Sequence, residues 1–143
     1  MPMSQILSLR IPDQLAERLD RFARRLGNGA TRTRVGLMLL EESLREAEFA
    51  HIEYRDSAAG RQPCMKDSGL AVWEVIMVAK DHELNVEQTA QYFRRSHEWV
   101  LAALNYYAAY REEIDQAIAD NHVGFETMRQ LLPGMRVFET PAS

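Results

Sequence analysis

The feature that most constrains this chain is a short N-terminal strand with only one other strand candidate nearby. Residues 6–11 read Ile-Leu-Ser-Leu-Arg-Ile. In an extended conformation Leu7, Leu9 and Ile11 fall on one face and Ile6, Ser8 and Arg10 on the other. Pro12 then ends the strand and suits the first position of a helix, where no amide hydrogen is needed. A lone strand leaves unpaired backbone groups on both edges and is not stable by itself. The simplest remedy is the same strand from a second copy, paired antiparallel about a two-fold axis. The alternative is a strand packed on a monomeric helical core.

From Asp13 the apolar period changes. Leu15, Leu19, Phe22 and Leu26 form one helical stripe, stopped by Gly27-Asn28-Gly29, and Thr31 or Thr33 caps a second helix. That second helix carries Val35, Leu37, Met38, Leu39, Leu40, Leu44 and Ala47. So wide an apolar face needs more cover than one short helix offers. The expected shared core of a dimer is therefore Leu7, Leu9, Ile11, Leu19, Phe22, Val35 and Leu39.

Charge separates the same region from the rest. Residues 1–45 hold eight arginines against five carboxylates, a net charge of +3, and residues 46–143 hold nine basic against sixteen acidic side chains, a net charge of −7. A basic head can meet phosphates and an acidic body should not, although a chance distribution over solvated helix faces would look similar. A two-stranded ribbon fits the major groove of B-DNA, where Arg bonds guanine and Ser bonds several base edges.

ILSLRIP, an amphipathic helix, a GNG turn and TRTRVGLMLLEESL together resemble the ribbon-helix-helix (MetJ/Arc/CopG-like) DNA-binding family over about residues 4–47. The resemblance implies an intertwined dimer on double-stranded DNA. It makes Ile6, Ser8 and Arg10 the base readers, although the family often has a polar residue where Ile6 stands. It makes Thr31, Arg32, Thr33 and Arg34 the phosphate contacts at the start of the second helix. A domain spanning residues 1–48 is expected.

Residues 51–69 are rich in turn formers and read as linker and turns, with a short strand around Ile52–Arg55. Three helical segments follow: Leu70–Asp81, a short helix capped by Asn85 and running through Phe93, and a long helix capped by Ser96 and running to about Asp120. The last two make a helix-turn-helix-like pair across Arg94-Arg95-Ser96. The expected fold class is thus mainly α: a ribbon-helix-helix head followed by a small helical domain over 52–120. Gly60, Pro63, Lys66, Leu70, Val72 and Ala102–Asp115 resemble the helical domain-of-unknown-function family numbered 433, from which Asp67, Gly69 and Ala71 depart. Chains joining two such modules resemble antitoxins of type II toxin–antitoxin pairs. The resemblance implies an autorepressor that also neutralises a protein toxin, commonly a PIN-type ribonuclease. The competing reading is a stand-alone repressor whose second domain senses a ligand or only enlarges the dimer.

Candidate toxin contacts are Tyr106 and Tyr110, read as an exposed aromatic patch, and Arg129 and Arg136, suited to an acidic ribonuclease site. The last two lie in the 121–143 tail, whose apolar residues need a cover. Arg94 and Arg95 offer a second DNA contact that Glu98 and the acidic body oppose. No enzymatic site assembles. His51, His82, His97 and His122 lack metal-ligand spacing and read as solvent-facing, Gly60–Lys66 is no phosphate loop, and Cys64 reads as a small buried hydrophobe. No metal or cofactor is expected. A lone cysteine and an N-terminus without a long apolar run suggest the cytoplasm and no membrane association.

Overall fold

A computed structural model describes residues 3–57 and 60–131, with side chains through Asn121. It divides into two units, residues 1–44 and 45–143. The described residues are mainly helical, with six helices and one two-stranded antiparallel sheet.

In the first unit residues 3–12 carry no assigned strand. The expected strand over 6–11 is not formed within the chain, because its backbone has no hydrogen-bonding partner among the described residues. Helix α1 spans Asp13–Leu26, with Pro12 just outside it as N-cap rather than at its first position, and the Pro12 carbonyl accepting from Ala16 N at 3.0 Å. Gly27, Asn28 and Gly29 all have positive φ, 65°, 50° and 73°. Glycine suits this left-handed run, since nothing crowds a Cβ at Gly27 or Gly29 and backbone conformation alone sets the requirement. Of the two threonines it is Thr31 that caps: its Oγ1 accepts from Arg34 N at 3.2 Å, and its carbonyl accepts from Val35 N at 2.9 Å. Helix α2 follows over Arg32–Glu48, and Gly36 meets α1 at Leu19 Cδ2. The boundary between the units falls inside α2.

In the second unit the expected short strand at Ile52–Arg55 is present within β1 (Ile52–Ser57), but it is not followed by a linker: it pairs with β2 (Gly60–Met65) in a hairpin, with Ile52 opposite Met65 and both fully buried. The His51–Lys66 bond (2.8 Å) sets the phase of the ladder and makes Tyr54–Pro63 a pair without mutual hydrogen bonds. Proline is tolerated there because its missing N–H would point away from β1. On the other edge the Tyr54 N–H, also outward, donates to Glu46 Oε1 at 2.7 Å.

Helix α3 covers Val72–Asp81, α4 Val86–Phe93 and α5 His97–Ala109. Asn85 Oδ1 and Ser96 Oγ accept from Gln88 N (2.9 Å) and Trp99 N (3.1 Å), as the sequence predicts for these caps. The expected single helix from Ser96 to Asp120 breaks at Tyr110, which leaves helical geometry at φ −129° and ψ 46°; α6 then runs over Arg111–Leu131. The break turns α6 back so that Ile114 is buried with α3 and α5. The core comprises Ile52, Met65, Val72, Val75, Ile76, Val100, Ala103, Tyr106 and Ile114. Among the described residues no helix is long and apolar enough to cross a membrane.

Candidate nucleic-acid interface

The segment before α1 presents both its faces to solvent. Ile6, Ser8 and Arg10, the expected base readers, are exposed, and the Arg10 side chain has no partner among the described residues. The opposite face is exposed as well, with Leu7 at 70% and Leu9 at 71%. Ile11, Leu19, Phe22 and Leu39 are half-buried, and of the seven expected core residues only Val35 is buried within this chain. Leu37, Leu40 and Leu44, spaced as one stripe of α2, are exposed. A segment without backbone hydrogen bonds over 3–11 among the described residues, and with uncovered leucines, thus lies in the same unit as a helix with an uncovered leucine stripe.

The start of α2 gathers the other expected contacts. Thr31, Arg32, Thr33 and Arg34 are all exposed. Their roles differ: Thr31 is committed to capping, and Arg34 carries no ion pair among the described residues. Arg32 is held in fork geometry by Asp20 of α1, its Nε and Nη2 donating to the two carboxylate oxygens at 2.9 and 2.7 Å. The guanidinium holds the Asp20 carboxyl below its ordinary range. Sequence reasoning missed Asp20. The signal available was an acidic residue on α1 and no carboxylate in the first turn of α2.

In the second unit the exposed tyrosine patch is overturned. Tyr106 is fully buried, and Tyr110 is half-buried beneath Arg45, whose guanidinium lies 3.7 Å from the ring centroid. Arg45 Nη1 also donates to Tyr54 Oη (3.0 Å), Tyr106 Oη (2.9 Å) and Glu113 Oε2 (2.9 Å), and the two tyrosine hydroxyls are 2.5 Å apart. Burial pushes both tyrosine hydroxyls above the ordinary phenol range, so they stay protonated. These tyrosines are interior because they satisfy an arginine that is itself mostly covered. Arg129 lies in α6 but its side chain, like the whole of Arg136, is outside the described residues.

Arg95 is tied to the Asp67 carbonyl (3.0 Å) and packs over Trp99, which leaves it poorly placed for a phosphate. His82 is not simply solvent-facing, since its Nε2 is buried without a partner. Burial raises the Cys64 thiol above its ordinary range and disfavours the reactive thiolate. Among the described residues no group of three or more His, Cys, Asp or Glu side chains converges as a metal site.

No family model matches the chain, and neither the curated proteins nor the solved structures yield a match.

Proposed function

We propose that the chain is a dimeric repressor that binds operator DNA through its first unit and serves as the antitoxin of a protein toxin through its second. The observation that carries the DNA half is the 3–11 segment: apolar at Leu7, Leu9 and Ile11, largely exposed, and without a backbone hydrogen bond among the described residues. Two copies of such a segment satisfy each other as an antiparallel ribbon and cover Leu7 and Leu9 against α1 and α2 of both chains. The same pairing brings two copies each of Ser8 and Arg10 to the outer face, in the shape the major groove admits. Arg34 and the first free amides of α2 supply backbone contacts.

The antitoxin half is supported by the resemblance of the second unit and by its acidic balance, which suits a basic partner better than DNA. With Tyr106 interior, toxin contact falls to exposed surface after residue 50 and to the 121–143 segment.

Selection from a random duplex library followed by anisotropy titration tests the DNA half. A symmetric site is expected, and Arg10→Ala should lose about 1–3 kcal/mol of discrimination within it. An unchanged preference in Arg10→Ala removes the ribbon as reader. Co-expression with the product of a neighbouring gene, read by pull-down and growth rescue, tests the antitoxin half. A 1–50 fragment that rescued growth as well as the full chain would overturn it.

A further inference from the structure

We propose that Asp20 restrains Arg32 and thereby suppresses sequence-independent binding of the DNA backbone at the start of α2; this rests on the DNA-binding reading of the first unit. Helix starts ordinarily carry their own acidic residue to complement the positive end of the helix, yet the first turn of α2 has none. The nearest compensating anion comes instead from α1, with both Asp20 oxygens engaged by Arg32, the first residue of the helix. The pair is solvent-accessible, with side chains 54% and 35% exposed. An accessible pair of this kind contributes little to stability, so its main consequence is electrostatic.

A phosphate approaching this helix start meets a carboxylate already in place. Arg32 arrives neutralised: whatever counterion release its cation would supply is cancelled by the anion it carries. The Asp20 charge also lies within a Debye length of any phosphate bound there and repels it. Arg34, two residues on and without an ion pair among the described residues, suffers no such cancellation. Of two neighbouring arginines, one is available to the backbone and one is held in reserve. The protein thereby limits the charge-driven binding that every duplex offers equally, which leaves a larger share of discrimination to Ser8 and Arg10.

The test uses the full chain and a labelled 24-base-pair duplex of arbitrary sequence, titrated between low and moderate potassium chloride. Asp20→Asn keeps the shape and removes the charge. It is expected to bind this duplex several-fold more tightly than the unsubstituted protein and to steepen the log–log salt dependence by about 0.9, the increment for neutralising one more phosphate. Adding Arg32→Ala to Asp20→Asn should return the slope to its starting value. In the otherwise unsubstituted chain Arg32→Ala should leave the slope nearly unchanged, whereas Arg34→Ala should flatten it by about 0.9. Equal binding by Asp20→Asn and the unsubstituted protein overturns the proposal, as does weaker binding by Asp20→Asn. An Arg32→Ala effect on the unsubstituted chain as large as that of Arg34→Ala overturns it too, and this comparison decides the matter if Asp20→Asn fails to fold. If neither protein binds any duplex, library-selected sequences included, the DNA-binding reading itself falls.

Discussion

The two units handle apolar surface in opposite ways. The second closes a core within one chain: Ile52, Met65, Val72, Ile76, Val100, Tyr106 and Ile114 are essentially inaccessible. Among its described apolar residues the first buries only Ala23 and Val35, and it leaves Leu7, Leu9, Leu37, Leu40 and Leu44 substantially exposed. Fully burying one such leucine is worth about 1.5–3 kcal/mol, so the free energy the first unit leaves unrealised is comparable to a small domain's net stability. The contrast is that the second unit closes a core from its own residues, whereas the first leaves apolar surface that the proposed dimer would cover.

The sharpest way to break that contrast is Leu9→Asp. A charge placed in a shared core should cost about 3–5 kcal/mol and yield a chain whose first unit is unfolded, while the second unit keeps its own melting transition. A folded monomeric variant in sedimentation equilibrium would make the first unit self-sufficient and dissolve the comparison. Ile76→Ala addresses the other side. Emptying a buried site in the second unit should cost about 2–4 kcal/mol and lower a transition that does not depend on protein concentration, measured by calorimetry across a hundredfold dilution. A concentration-dependent shift there would show the second unit also relies on a partner.

A smaller loss is expected from Arg45→Ala, about 2 kcal/mol in chemical denaturation. Its hydrogen bonds to the buried Tyr106, the half-buried Tyr54 and Glu113 vanish together, with stacking on Tyr110. The smallest effect belongs to the accessible pair Lys80–Asp115 (2.7 Å), joined by Tyr107 Oη at 2.8 Å. These bonds, Lys80 first, hold the Asp115 carboxyl below its ordinary range. Its contribution is therefore complete above the unfolded carboxylate value near 4 and is lost as pH falls through the lower folded value. Asp115→Asn should cost under about 1 kcal/mol at neutral pH and nothing measurable in strong acid, as read from denaturation midpoints at the two conditions.

Legibility in the sequence followed the range of the interactions. Both helices of the first unit and the caps at Asn85 and Ser96 were readable because they are local: a stripe, a GNG run, an oxygen one turn before an amide. Of the hairpin only the first strand was legible, since Pro63 and a cluster of turn formers hide β2, and the pairing depends on Ile52 meeting Met65 thirteen residues later. The break at Tyr110 carries no glycine or proline and follows from what α6 packs against. Tyr106 looked like surface because the residue that engages it, Arg45, lies 61 positions away. Within the candidate interface, exposure of Ser8 and Arg10 follows from strand alternation, while the engagement of Arg32 by Asp20 is a tertiary pairing that spacing does not announce.

The hairpin edges bear on how the chain avoids error while it folds. A free extended segment such as 3–11 is an adhesive for any open sheet edge, and the nearest such edge in sequence is the protein's own hairpin. That hairpin is blunted where capture would begin. Pro63 offers no amide on one side, Glu46 has already taken the Tyr54 amide on the other, and Met65 N is spent on the Leu70 carbonyl at 2.9 Å. A newly made chain is thereby kept from sealing its N-terminal segment onto itself, a dead end that no dilution would relieve and that would compete with every encounter between molecules. In the dimer proposed above, the search for a partner then stays intermolecular, and its rate is set by how many copies the cell holds.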